Sequence, residues 1–454
     1  MRDDIAVEMG TPSLQFAESD LADKFCEQHG EELRYVAKWG RWMRYVKGCW
    51  HEEETLLAFD LARKICDGLT RGSNRANKDL KSAKTFAAIE RIAKADRRIA
   101  ATVNQWDTDL WILNTPKGVV DLKTGKVRKH KPEDYLTKMT AAAPGGTCPL
   151  WMNHLKRITN GDDELVNYLQ VMSGYTLTGE TREHNLLYGH GTGRNGKGTT
   201  TGTLKEMMND YAVAAPMQTF LVQNTPGHPT DLAMLRGARM VVASEVEEGQ
   251  RWDENRIKMM TGGDPITARF MRQDFFTYKP QFKLWLSGNH KPSLRSVDVA
   301  IRSRFHLVPF TVEIPEAERD KELMEKLKGE WPGILAWAID GCLLWQRNGL
   351  IPPPSVRAAT DEYLAAEDTV TQWFADCCEA STNAKGLFTS ELFNSWKSWA
   401  EEAGEFVGSQ KRFSQRLEDR KHELGIEKVW NLHRDASHGN GFRGMKFREV
   451  RQKF

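Results

Sequence analysis

From about Leu21 to Arg98 apolar residues recur mostly at helical spacing, broken at "KWGRWMRYVKGCWHEEE", where alternation on both sides of Gly48 predicts a short hairpin. The next stretch, "LWILNTPKGVVDLKTGKVRKH", reads as two apolar strands flanking a Lys-Thr-Gly turn. Pro144, Gly145, Gly146 and Pro149 then mark a linker. Between Leu150 and Trp345 helices alternate with short continuous apolar runs, "HNLLYG", "RMVVASE" and "FKLWLSGN". Runs that end in small or polar residues suit strands buried on both faces, so a layered α/β structure is expected. The prolines of "NGLIPPPSVR" break this pattern, and the helical segments "SELFNSWKSWAEEA" and "SQKRFSQRLEDRKHELG" follow. The glycine-rich turn of "HGNGFRGMKFREV" closes the chain, and helices followed by a terminal hairpin predict a winged-helix domain. The expected organisation is an α+β module over 1–149, an α/β domain over 150–350 and a winged helix over 351–454.

Composition narrows the class. With 28% charged and 40% apolar residues the chain reads as globular, and its formal net charge of +2 excludes a polycation. Any nucleic-acid contact must therefore come from local basic patches. No apolar run is long enough to span a membrane, and "MRDDIAVEMG" lacks the features of a secretory leader, so a cytoplasmic protein is expected. The seven cysteines show no Cys-x-x-Cys spacing and read as reduced core residues rather than zinc ligands.

"LLYGHGTGRNGKGTTTGTL" fits G-x-x-x-x-G-K between an apolar strand and a plausible helix. Glycines let successive N–H groups converge on an anion, and a helix N-terminus adds partial positive charge. Gly191, Gly193, Asn195, Gly196, Lys197, Gly198 and Thr199 are the expected nucleotide-binding residues, with Lys197 neutralising the outer phosphates of ATP. The position that normally supplies a hydroxyl to Mg²⁺ is Gly198, which leaves Thr199, Thr200 or a water for that place.

"RMVVASEVEEG" delivers Glu245 and Glu247 at the carboxyl end of a strand, where ligands gather in α/β sheets. One carboxylate can hold Mg²⁺ while the other activates water; Glu245 is the first choice for the base, and alternation would put both on one face. "FKLWLSGN" ends in Asn289, a neutral group able to sense a γ-phosphate or align water. "AIRSRFHLVPF" offers Arg302 and Arg304, whose guanidinium groups suit transition-state charge. If they point outward, their target is a nucleotide on a neighbouring subunit.

The order of these motifs, with "KMMTGGDPITARFMR", "NHKP" and "VPF" between and after them, closely resembles superfamily 3 helicases, above all the C-terminal part of phage, plasmid and poxvirus-type primase-helicases. The resemblance implies an AAA-like P-loop ATPase that forms a ring, usually a hexamer, hydrolyses ATP at subunit interfaces and unwinds DNA 3′ to 5′. It casts Lys197 as the phosphate lysine, Glu245 as the acidic-strand carboxylate, Asn289 as the sensor and Arg304 as the finger, Arg302 carrying over more weakly; Thr199 and Glu245 are the metal candidates. It also implies that "ITARFMRQDFFTYKPQFKLW" forms a channel hairpin whose Arg269, Arg272, Gln273 and Lys279 grip single-stranded or forked DNA.

Tail residues Lys411, Arg412, Arg416, Arg420, Lys421, Arg443, Lys446, Arg448, Arg451 and Lys453 are candidates for holding duplex. Asp107 and Asp109 have the spacing of polymerising acids, but the segment is too short, so no primer synthesis is expected and a separate primase or polymerase becomes the natural partner. Two other readings stay open: a DNA-binding replication initiator whose ATP site drives assembly only, and a P-loop kinase.

Overall fold

The computed structural model describes residues 16–70, 80–223, 230–295, 297–434 and 437–448. They form two compact units, one up to Ala143 and one from Pro144.

In the first unit the helices Glu18–His29, Leu57–Thr70 and Ala83–Ala93 share a core built on Phe25, Leu33, Ile65 and Ile89. The hairpin expected around Gly48 pairs Arg41–Val46 with Cys49–Glu52. "LWILNTPKGVVDLKTGKVRKH" holds three strands, Ile112–Thr115, Gly118–Asp121 and Lys126–Arg128, where two were expected. Pro116 offers no N–H to a ladder and divides the apolar run, and the chain turns at Gly118, whose φ is +151°. A Cβ at Gly118 would stand 2.5 Å from Arg128 O, so the third strand can close over it only because that side chain is missing.

The second unit is built on a five-stranded sheet. Its order is Phe305–Pro309, Leu186–His190, Lys283–Gly288, Met240–Ser244, Ala212–Ala214, with every neighbour parallel. Leu186–His190, Met240–Ser244 and Lys283–Gly288 are the three continuous apolar runs of the sequence. Leu186, Leu284, Leu286, Val241 and Leu307 are buried because helices cover the sheet. The strand that ends at the asparagine lies between the one that leads into the glycine loop and the one that leads into the acidic residues. The helix Asp163–Leu177 packs along Trp331–Asn348, where a Cβ on Gly174 would collide with the Cys342 and Gly341 backbone at 2.0 and 2.3 Å.

The chain does not leave this body at the three prolines. Helix Pro354–Glu367 buries Val356, Thr360, Tyr363 and Leu364, one face at helical spacing, and Thr360 Oγ1 accepts from Leu307 N of the outer strand at 2.9 Å. Trp252 Nε1 donates to Tyr363 Oη at 3.0 Å. Residues after Asp368 gather a further core from Trp373, Trp396, Phe413, Leu417 and Phe442. It is enclosed by helices Thr369–Cys377, Thr389–Glu402 and Gln410–Asp419 and by the antiparallel pair Glu427–Arg434 and Ser437–Arg443. All seven cysteines are free thiols. No helix among the described residues is long and apolar enough to cross a membrane.

Candidate functional site

Parallel strands deliver their loops to one edge of a sheet. Here residues 193–199, 244–248 and 287–290 line an open cleft of about 660 Å³ at the carboxyl ends of three adjacent strands.

The glycine loop joins Leu186–His190 to the helix Lys197–Met208. Two of its glycines are dictated by shape. A Cβ on Gly191 would sit 2.2 Å from both Asn195 Nδ2 and Phe310 O; one on Gly196, where φ is +83°, would sit 2.3 Å from Ile158 Cγ2. Asn195 Nδ2 donates to Phe310 O at 3.1 Å and Ile314 N to Arg194 O at 3.1 Å, fixing the loop to the segment after the outer strand. Gly198 is different. Its φ lies outside the left-handed region, and a Cβ there would meet nothing within 4 Å.

Lys197 is 8% exposed, and its Nζ donates to Gly191 O and, at 3.3 Å, to Asn289 Oδ1. Burial lowers its pKa from the usual lysine value. Among the described residues no carboxylate pairs with it, so neutral oxygens occupy the place where an anion would bind more strongly. Of the two threonines expected to reach a metal, Thr199 lines the cleft. Thr200 is 2% exposed and turned away, bonded to Gly196 O at 3.0 Å and to His154 Nε2 at 2.9 Å.

Glu245, Glu247 and Glu248 line the same cleft, while Val246 between them is buried. Simple alternation does not bring the first two together. The strand stops at Ser244, and Glu245 takes φ +73°, a conformation that costs a non-glycine residue roughly 1–3 kcal/mol. Such strain persists only where the surroundings impose it. Thr199 and these carboxylates lie near Lys197 and supply the few hard oxygens that Mg²⁺ takes from a protein when it arrives with a polyphosphate, so the residues present fit that ion.

Arg302 and Arg304 are not brought to this cleft. Phe305 pairs with Leu186 and Pro309 with His190, so Arg304 stands at the amino edge of the sheet, six residues from the level of Gly191. At ~3.3 Å per residue that is about 20 Å, beyond the reach of its side chain. Arg304 is half-buried, with Nε donating to Thr261 Oγ1 at 3.1 Å and Nη1 to Ala300 O at 2.6 Å.

The hairpin expected between the acidic and asparagine strands is present as Ile266–Ala268 paired with Phe276–Tyr278. Arg269, Arg272, Gln273 and Lys279 are all exposed on it, and Arg272 turns the tip with φ +59°. Met271 and Phe275 are also exposed, at 67% and 60%, and Arg269 lies 4.6 Å from the Phe275 ring.

The tail corrects part of the basic set. Arg420 is 7% exposed and paired with Asp368 at 2.7 Å inside the protein, so it is not available to a DNA backbone; a guanidinium in that position is held by its buried carboxylate. Lys446 pairs with Glu379 at 2.7 Å, and Arg448 Nε bonds Cys378 O at 2.9 Å. Arg451 and Lys453 lie outside the described residues.

His154 escapes a motif search. It sits on helix Pro149–Ile158 behind the loop, and a Cβ on Gly196 would lie 3.0 Å from its Cε1. Burial pushes its pKa down to about 4, so its imidazole is neutral. A polar residue on the apolar face of Trp151, Leu155 and Ile158 was the signal in the sequence.

Residues 22–160 match the family described as "D5 N terminal like", and residues 189–304 match a "Family of unknown function (DUF5906)". "Putative helicase L207/L206" of Acanthamoeba polyphaga mimivirus is 25% identical over 321 residues, 64% of this chain and 33% of that protein. "Putative helicase 022R" of Frog virus 3 is 26% identical over 49% of this chain and 25% of its own length. "Putative helicase 184R" of Invertebrate iridescent virus 6 is 24% identical over 64% of this chain and 34% of its own length. The chain thus spans between a quarter and about a third of these relatives. Among solved structures, the apo C-terminal region of NrS-1 aligns with 95% of this chain and 100% of its own, at TM-score 0.50 and 11% identity, and a second apo structure of that region (305–718) aligns with 94% of this chain and 99% of its own, at TM-score 0.51 and 11% identity. That likeness concerns the fold. Residues 22–160 are thus similar to the D5 N-terminal-like family, and the chain is similar over part of its length to putative helicases of viruses, in agreement with the superfamily 3 resemblance of its motif order.

Proposed function

We propose that this chain is the motor part of an ATP-dependent DNA helicase of phage or plasmid replication. In this reading the cleft is a P-loop ATPase site of AAA-like type. The chain assembles as a ring, most simply a hexamer, and moves 3′ to 5′ along single-stranded or forked DNA, with a separate primase or polymerase as partner. The observation that carries it is the meeting of Lys197, Asn289 and the Glu245/Glu247 pair at one sheet edge while Arg304 stands at the other. A site that needs an arginine and cannot reach its own receives one from a second copy, which is the logic of hydrolysis between subunits.

Lys197 then leaves Gly191 O and Asn289 for the outer phosphates. Gly193, Asn195, Gly196, Gly198 and Thr199 offer backbone N–H groups at the start of the helix. Mg²⁺ arriving with ATP would be held by Thr199 and Glu245 and would neutralise phosphate charge. The two carboxylates share two duties: Glu245 takes the proton of the attacking water with Glu247 on the ion, or Glu247 takes it when Glu245 holds the ion; Asn289, freed from Lys197, aligns water or the γ-phosphate. The neighbour's Arg304 meets the developing charge, with Arg302 beside it. Exposed Arg269, Arg272, Gln273 and Lys279 on the hairpin grip one strand, and the tail acts as a winged helix.

The test is ATP hydrolysis and unwinding of a forked duplex by the purified chain. Turnover stimulated several-fold by single-stranded DNA supports a motor. Turnover indifferent to DNA points to a kinase, and nucleotide-driven assembly with no unwinding points to an initiator.

A further inference from the structure

Away from the cleft, a cavity of about 270 Å³ lies between the loop after Asn289 and the tail helices. Four arginines from three parts of the chain border it: Arg251 just before helix Glu254–Gly262, Arg295 beyond the asparagine strand, and Arg412 and Arg416 one turn apart on helix Gln410–Asp419. Arg251, Arg295 and Arg412 also border an adjoining hollow of about 240 Å³ with Asp253 and Glu254.

The ion pairs nearby use other residues. Asp368 holds Arg420 at 2.7 Å and Asp253 holds Arg256 at 3.4 Å, whereas Arg251, Arg295 and Arg412 have no carboxylate at ion-pair distance among the described residues. Two acids do line the cavity. Glu367 is occupied by Leu294 N at 2.7 Å, and burial raises its pKa; Glu405 is exposed to solvent. Burial and the charges of Arg295 and Arg251 lower the pKa of Arg412, and Glu254, which accepts from Arg295 N at 2.5 Å, offsets that only in part. Like charges directed at one volume are relieved by an anion.

Aromatic faces adjoin these cations. Arg295 lies 5.8 Å from the ring of Phe406, which is 67% exposed, and Arg416 lies 5.5 Å from the ring of buried Trp396 while donating to Thr369 Oγ1 at 2.9 Å. An exposed ring beside guanidinium groups is the pairing that holds a base and its phosphate together. The walls are fixed, because Arg420 ties the same tail helix to Asp368 and to Val297 O.

We propose that Arg251, Arg295 and Arg412 form a phosphate-binding pocket for one nucleotide unit, supplied by a single DNA strand or as a free nucleotide, with Phe406 as the face for its base. This site is separate from the cleft and does not require that the cleft hydrolyse anything.

The test compares wild type with the triple variant R251Q/R295Q/R412Q, binding a fluorescein-labelled oligothymidylate over a range of salt. The expected result is a Kd weakened about tenfold or more and a salt slope reduced by about one or more. R251K/R295K/R412K, which keeps the charge, should retain most of the binding, and thermal melting shows that both variants fold. Tryptophan quenching by dTMP that the glutamine variant loses identifies a free nucleotide as the ligand; quenching by the oligonucleotide alone identifies a strand. Unchanged affinity and slope in the folded glutamine variant would overturn the proposal. So would oligoglutamate binding of equal strength and equal dependence on these arginines. Because the readout is binding, the result stands whether or not the chain proves to be a helicase.

Discussion

Lys197 Nζ and Asn289 Oδ1 meet at 3.3 Å across the ends of neighbouring parallel strands, although 92 residues separate them in the chain. The bond occupies a cation with a neutral acceptor and holds Asn289 where it can change partner once phosphate arrives. Asn289→Ala should therefore bind ATP about as tightly as wild type while turnover falls roughly a hundredfold, the usual cost of losing a donor from a charge-developing site. Equilibrium binding of a fluorescent ATP analogue together with phosphate release checks this. A large loss of affinity with normal turnover would remove Asn289 from the reaction.

Gly198 is the one loop glycine beside Lys197 that neither its φ nor its neighbours require. Gly198→Thr should fold and melt no lower than wild type, since glycine in a helix costs some tenths of a kcal/mol relative to threonine. Its hydroxyl would join Thr199 beside the metal, so the Mg²⁺ concentration for half-maximal turnover should fall. A rise in that concentration would show that the open space at Gly198 is itself used.

Arg304 lies at the sheet edge opposite the glycine loop. Arg304→Ala should keep ATP binding and lose about a thousandfold in hydrolysis, the scale of a missing arginine finger. Lys197→Ala should lose binding. Mixing the two inactive proteins should recover part of the activity, because a mixed interface can join an intact loop to an intact arginine. Recovery failing in rings shown by mass measurement to be mixed would place the arginine's role within its own subunit.

His154 is buried and His306 half-buried, and desolvation pushes the pKa of each from 6.5 down to about 4. Between those values the unfolded chain binds protons that the native imidazoles refuse, so stability should fall as pH drops from about 6.5 towards 4. Melting temperatures measured from pH 7.5 to 5 should show the decline, and His154→Gln should make it shallower, leaving the share that His306 contributes. A flat profile in wild type would mean these rings are reached by solvent.

On the hairpin, Arg272→Ala with Lys279→Ala should leave hydrolysis without DNA near wild type and abolish its stimulation, because both side chains are exposed and far from any packing role. Stimulated hydrolysis and unwinding at full rate in that variant would take the hairpin out of DNA contact.

Local chemistry made much of this protein legible. Apolar runs marked the three central strands of the second unit's sheet, though not the edge strand Ala212–Ala214; the spacing of Gly191, Gly196 and Lys197 marked the loop, and "NLLYG" before it supplied the strand such a loop needs. The fold decided what spacing along a chain does not encode. Strand order placed Asn289 between the loop and the acids, register moved Arg304 to the far edge, and a left-handed turn at Glu245 replaced simple alternation. Packing of Thr360 and Tyr363 joined the tail to the sheet-bearing body, and convergence of Arg251, Arg295 and Arg412 made a pocket from residues more than 40 positions apart. The physical reason is range: turns, periodicity and capping act over a few residues, whereas pairing between strands and burial of charge depend on which distant segments share a surface.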